Sequence, residues 1–175
     1  IKLDNTNYHF MQGEYQLAEG GDGAQRFDLK YTIASRGFST PLNFYGGYSS
    51  ADPTVRDPQT YETVFTGNDQ YAILAVRDRV ILNLDGIVFE KAYAKNAFGA
   101  DELLGAALYV ARSVDANNMP EVHVNNCVFR DNQESDVELN ANNGGGSAIN
   151  LKAGKVYVNN CLFKDNTAYN RGCLI

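Results

Sequence analysis

Two carboxylates recur in matching surroundings, Arg130-Asp131-Asn132 and Lys164-Asp165-Asn166. Carboxylates about 5 Å apart are the arrangement of a retaining glycosidase, one acting as nucleophile and the other as acid and base. Asp131 and Asp165, each beside a cation, are therefore the candidate catalytic residues of a carbohydrate-active enzyme. Glu134, Asp136 and Glu138 form an acidic cluster in an Asn-rich loop. They could offer oxygen ligands to Ca²⁺. The spacing matches neither an EF-hand nor a Gly-rich nonapeptide, so a solvated loop is the plainer reading. Ca²⁺ is the one cofactor this chemistry admits, and the working expectation is none.

The chain has 11 tyrosines, enough for a sugar-binding face, because the ring is apolar on its face and polar at its tip. Tyr45, Tyr48, Tyr61, Tyr93 and Tyr109 are the candidates, whereas Tyr15 and Phe89 read as core. His123 lies between Val122 and Val124 and should point outward as a surface residue. Three cysteines without a CxxC give neither a disulfide framework nor a zinc site. Cys127 and Cys161 occupy equivalent places and read as a buried thiol ladder of small apolar groups. A bridge between them in an oxidising compartment is the alternative. Ice binding would want a regular array of Thr, and none is present.

The formal charge is −6, from 15 Lys and Arg against 21 Asp and Glu. Binding a phosphate backbone draws most of its affinity from cations that release counterions, and no stretch here supplies a basic face. Nucleic acid is not an expected partner. No apolar run approaches the roughly 20 residues that span a bilayer as a helix. The start, Ile1-Lys2-Leu3-Asp4-Asn5, lacks the features of a signal peptide, so any export signal is expected to have been removed or to lie elsewhere.

The elements that must position these residues are repeats. Leu82 to Lys91, Val122 to Asn132 and Val156 to Asn166 align without gaps, and the last two share V-x-V-N-N-C-x-F-x-D-N. The interval from Phe89 to Phe129 exceeds that from Phe129 to Phe163. A constant core with variable polar spacers is how insertions behave in a solenoid. Each segment alternates with period two around a bend at Asp85-Gly86, Asn125-Asn126 or Asn159-Asn160. β-branched residues and those bends favour strands over the competing helical spacing. Such short strands bury a core only by stacking, about 4.8 Å per coil. Val124 then falls near Val158, Cys127 near Cys161 and Phe129 near Phe163, while Asn126 over Asn160 makes an amide ladder. The same stacking sets Asp131 against Asp165 without any catalytic need, and Asp-Asn after a strand is ordinary turn chemistry.

A second marker follows each segment: Gly105-Ala106-Ala107-Leu108, Gly146-Ser147-Ala148-Ile149 and Gly172-Cys173-Leu174-Ile175. The first half is less regular. Strands are predicted at Gly13 to Leu17, Arg26 to Leu29, Asn43 to Tyr48, Thr63 to Gly67, Tyr71 to Val76 and Arg79 to Leu84, with a loop from Ala51 to Thr60 and a short helix at Gly99 to Leu104.

Gly13-Glu14-Tyr15, Phe44-Tyr45-Gly46-Gly47-Tyr48, Arg56-Asp57-Pro58 and the Asn-Cys-x-Phe-x-Asp-Asn repeats at Asn126 and Asn160 stand in a telling order. The chain from about Gly13 onward resembles bacterial surface proteins with polymorphic-outer-membrane-protein-like repeats, which are right-handed parallel β-helices. The family has a capping segment and an earlier strand before its G-x-Y element, and here only the stretch up to Gln12 precedes it. The resemblance implies export and display outside the cell, as adhesins or modules of larger surface proteins.

The expected fold is all-β: one right-handed parallel β-helix (β-solenoid) over residues 1–175, with irregular N-terminal coils and variable loop insertions, as a piece of a longer chain. The expected function is a non-catalytic extracellular binding or scaffolding module on a bacterial surface, adhesin-like and glycan-binding. Partners would be a glycan, a host or neighbouring surface protein, or further coils docked on the ends. The alternative is a β-helical polysaccharide lyase or glycoside hydrolase acting through Asp131 and Asp165.

Overall fold

The computed structural model describes residues 7–16, 27–30, 41–77, 79–93, 107–111, 119–133 and 146–168. These form fourteen strands, numbered in chain order, in three wholly parallel sheets, with no helix among the described residues. The first sheet holds β1 (Asn7–Met11), β4 (Leu42–Tyr48), β7 (Ile81–Asp85), β10 (Glu121–Asn125) and β13 (Lys155–Asn159) in that order. The second holds β2 (Gly13–Gln16), β5 (Thr63–Thr66), β8 (Ile87–Glu90), β11 (Val128–Arg130) and β14 (Leu162–Lys164). The third holds β3 (Phe27–Lys30), β6 (Leu74–Arg77), β9 (Leu108–Ala111) and β12 (Ile149–Leu151). Successive strands are thus dealt to the three sheets in turn, and every third strand pairs with its predecessor.

The registers are those the repeats predict. Val124 pairs with Val158, and Phe129 with both Phe89 and Phe163. In β7 and β10 burial alternates residue by residue, as period two requires. The inward residues build one core in which Phe65, Phe89 and Phe129 are almost fully buried. Phe89 and Phe129 stack at 4.9 Å, and Phe129 and Phe163 at 5.1 Å, with rings within ten degrees of parallel. Each such pair contributes about 0.5–1.5 kcal/mol beyond its buried area. Tyr15 packs against the same core, as expected. The two middle strands of the third sheet are covered on both faces: β6 and β9 are buried at every position, and Ala75, Tyr109 and Ala111 form a second cluster. Parallel strands covered on both sides read as continuous apolar runs rather than alternating ones. That is why the Ala-Leu and Ala-Ile markers were legible as a repeat without being read as strands.

Two corners turn the chain between sheets, each by a residue in the left-handed region. Gly86, Asn126 and Asn160 (φ 69°, 51° and 51°) occupy the corner between the first and second sheets. Lys91, Asp131 and Asp165 (φ 51°, 53° and 53°) occupy the corner after the second. Asn and Asp tolerate this conformation better than other side chains with a Cβ, which gives both pairs a backbone reason to recur.

Amide ladders tie neighbouring strands and corners together. Asn160 donates to Asn126 at 2.7 Å, as the repeat predicts, and Asn126 donates to Asp85 at 3.0 Å. Two more were not anticipated. Asn83 donates to Asn43 and Asn43 to Asn7 along the outer face of the first sheet. The fully buried Asn132 donates to the Phe89 carbonyl and to Asn166, accepts from the Ala92 amide, and is followed by Asn166 donating to the Phe129 carbonyl.

Three expectations are corrected. Asn7–Met11 is a strand, although none was predicted before Gly13; Tyr8 and Phe10 alternate toward the core and were the available signal. The strand placed at Tyr71 to Val76 begins only at Leu74, because Gln70 and Tyr71 are held in a turn on the Gly67 carbonyl. Tyr109, offered as a surface ring, is 6% exposed and lies beneath the Arg77 guanidinium at 5.5 Å. The helix predicted at Gly99 to Leu104 lies outside the described residues.

Candidate functional site

The connection from β4 to β5 crosses over the corner between the first two sheets and builds a groove there. Its seat is made by glycines. Gly47 has φ 89°, and a Cβ on it would meet Pro58 at 2.6 Å. Gly86 has φ 69°, and a Cβ there would meet the same proline at 2.6 Å. Pro58 therefore lies on two backbones that only glycine leaves bare. Arg56 fastens the crossing, donating to the Gly46 carbonyl at 2.9 Å and pairing with the Asp85 carboxylate. The Asp57 amide donates to the Gly47 carbonyl at 2.8 Å. The aromatic-Gly-Gly-aromatic and Arg-Asp-Pro strings are thus two halves of one tertiary contact.

The groove has a volume of about 660 Å³. Val88, Val128 and Leu162 supply an apolar floor, and Arg56, Asp57, Glu62 and Asp85 its charged walls. Each acid is committed to a structural partner. Asp85 accepts from Arg56 and Asn126. Glu62 accepts two bonds from the Arg130 guanidinium, at 3.3 and 3.2 Å, while Arg130 Nε donates to the buried Glu90 at 2.7 Å. Asp57 accepts from the Thr60 hydroxyl at 2.7 Å and the Gln59 amide at 3.0 Å. The Thr60 hydroxyl, then the Gln59 amide, hold the Asp57 carboxyl below its ordinary range. A general acid needs the opposite shift.

Arg56 also links the groove to a patch of rings. Its guanidinium lies 5.6 Å from the Tyr45 ring centre and 5.7 Å from that of Tyr48. His9 stacks on Tyr48 at 4.6 Å and meets Tyr45 edge-on at 5.8 Å. The three rings and the Arg56 guanidinium thus form one continuous aromatic and cationic cluster, with His9 exposed.

Tyr45 and Tyr48 are therefore brought together. Tyr61 sits half-buried at the end of the crossing loop, its amide on the Asp57 carbonyl, and Tyr93 lies at a separate bridge with Gln133. His9 was missed, although its alternation with Tyr8 and Phe10 marks an outward position. His123 does point outward, bonded to Glu121 at 2.9 Å and stacked on Tyr157 at 4.8 Å. Its bond is the leading reason the Glu121 carboxyl lies below its ordinary range.

Asp131 and Asp165 are exposed at successive left-handed corners, the Asp131 amide donating to the Lys164 carbonyl at 3.2 Å. Lys164 Nζ lies 3.6 Å from Asp165. Lys91 fills the equivalent corner one repeat earlier, so the position does not require a carboxylate. Neither aspartate lines the groove. Glu134, Asp136 and Glu138 lie outside the described residues, and no metal-ligating cluster occurs among those described. Cys127 is buried and Cys161 half-buried, both as free thiols lining the groove. Among the described residues no helix is long and apolar enough to cross a membrane.

No family model, curated protein or solved structure matches the chain.

Proposed function

We propose that the chain winds as a right-handed parallel β-helix and serves as a non-catalytic glycan-binding module on the outside of a bacterial cell. The winding is supported by the cyclic assignment of strands to three parallel sheets and by the corners and ladders that repeat from circuit to circuit. Binding is supported by one observation above the others: His9, Tyr45, Tyr48 and Arg56 form one joined aromatic and cationic cluster, with His9 exposed, beside a groove whose acids are already paired or bonded. The ligand class is a neutral saccharide chain, one residue resting on the rings and its neighbours running into the groove. Extracellular display follows from the resemblance and gives a glycan on a host or neighbouring surface as the partner.

A glycan array read for both retention and cleavage products tests this reading. Retention without cleavage is the expected result. Tyr48→Ala removes the ring that His9 and Arg56 rest on and should weaken binding about two- to tenfold, since one aromatic contact contributes about 0.5–1.5 kcal/mol. Cleavage that disappears in Asp131→Ala or Asp165→Ala would replace this proposal with the hydrolase or lyase.

A further inference from the structure

In the groove, beside the residues assigned to glycan binding, lies chemistry that binding does not use. Cys127 and Cys161 sit at equivalent places in adjacent circuits, each just past the corner that joins the first and second sheets. Backbone bonds flank them on both sides: the Asn126 amide donates to the Asn159 carbonyl, and the Leu162 amide to the Cys127 carbonyl at 3.0 Å. Parallel neighbours in register are separated by about 4.8 Å, within the 4.4–6.8 Å between Cα atoms that a disulfide accepts. Cys161 Sγ also reaches back to the Val124 carbonyl at 3.5 Å, in the circuit of Cys127. Cys127 Sγ donates to the Asn125 carbonyl at 3.2 Å, both thiols line the groove, and Cys161 is only half-buried.

From this geometry we infer that Cys127 and Cys161 are a reactive dithiol that reduces low-molecular-weight disulfides, with Cys161 as the attacking thiol and Cys127 as the resolving one. The Cys161 thiolate attacks one sulfur of RSSR, forming a mixed disulfide and releasing RS⁻. The Cys127 thiol gives its proton to solvent, and its sulfur attacks Cys161, expelling the second RS⁻. The protein loses two thiol protons and two electrons, and RSSR becomes two RSH. The product is a bond stapling two circuits together at the floor of the groove.

The environment divides the roles. The neighbouring Cys127 thiol is the leading reason that the Cys161 thiol is lowered to about 7. The Cys161 sulfur beside it, then burial, pushes the Cys127 thiol up. Attack consumes the Cys161 charge, and with it the main restraint on the Cys127 proton, so the second step is unlocked by the first. A thiol near 7 has about half its population as thiolate at pH 7, against roughly 3% for an ordinary cysteine. Its lower basicity costs about fivefold in intrinsic nucleophilicity. Cys161 therefore gains about threefold in rate at neutral pH and loses about fivefold above pH 9.5.

The test uses the full chain with oxidised glutathione as the probe disulfide, followed by tryptic mapping without reduction. Arg130, Lys155, Lys164 and Arg171 put Cys127, Cys161 and Cys173 on separate peptides. A Cys127–Cys161 cross-link with release of two glutathione equivalents is the expected result. No reaction, a stable mixed disulfide, or cross-links to Cys173 would each overturn the inference. Alkylation of Cys161 across pH should show a midpoint near 7, moving past 8 in Cys127→Ala. A midpoint at the ordinary thiol value in the native chain would remove the assignment of Cys161 as the attacking thiol. Glycan retention on the array is a separate readout, so failure of either proposal leaves the other standing.

Discussion

Replacing Asn132 by alanine asks whether the buried amide ladder, rather than the exposed one, holds neighbouring repeats together. Asn132 is fully buried; its Oδ1 accepts from the Ala92 amide at 3.1 Å, and its Nδ2 donates to the Phe89 carbonyl at 3.0 Å and to Asn166 at 2.8 Å. Three hydrogen bonds vanish in Asn132→Ala, at about 1 kcal/mol net each, and a buried amide is left without a partner at about 1–3 kcal/mol more. The expected loss is about 4–6 kcal/mol. The control is Asn126→Gly, which removes the bonds to Asp85 and from Asn160 at an exposed corner while glycine keeps φ near 51°. Water replaces those partners, so the cost should stay below about 1 kcal/mol. Denaturant unfolding gives the overall difference. Hydrogen exchange at the Ala92 amide gives the local one, which matters because stacked repeats can open locally. Equal costs for the two variants, or undiminished protection of Ala92, would refute the reasoning.

Two further outcomes are expected. Arg130→Ala strips Glu62 and Glu90 of the same guanidinium, and Glu90 is 8% exposed, so stability should fall by about 1–3 kcal/mol after allowing for the partly exposed arginine. The crossing loop should also become sensitive to limited proteolysis between Ala51 and Thr60; an unchanged cleavage pattern would mean that Arg130 does not tether it. Acid should loosen the same loop first. Asp52 and Asp57 are held below their ordinary range, led in each case by a threonine hydroxyl, from Thr54 and from Thr60. A depressed folded value stabilises above the unfolded value, near pH 4, and that contribution is lost as pH falls through the folded one. Amide exchange at Thr54 and Gln59 should therefore speed up below pH 4 ahead of the core strands, and simultaneous exchange would contradict it.

The repeat segments carried the registers legibly. V-x-V-N-N-C-x-F-x-D-N predicted Val124 on Val158, Phe129 on Phe163 and Asn126 on Asn160, because period-two alternation and a fixed bend leave one way to stack identical segments. The β1 strand was less legible because Tyr8 and Phe10 have no sequence twin to align with. Asn132 looked like turn chemistry, since nothing local distinguishes an amide that ends in water from one that ends in the core. Tyr109 failed for a related reason: a sheet covered on both faces gives no alternation to show which ring is hidden.

The sequence by itself determined the strand type, the stacking register and the identity of the corner residues, because each depends on neighbours within a few positions or on an equivalent segment one repeat away. Only the tertiary structure decided the groove. Pro58 against Gly47 and Gly86, Arg56 on Asp85, Arg130 between Glu62 and Glu90, and His9 on Tyr48 each join residues far apart in the chain. Such contacts follow from where a loop crosses a corner, and the path of a loop is settled by packing against several distant strands rather than by any local pattern.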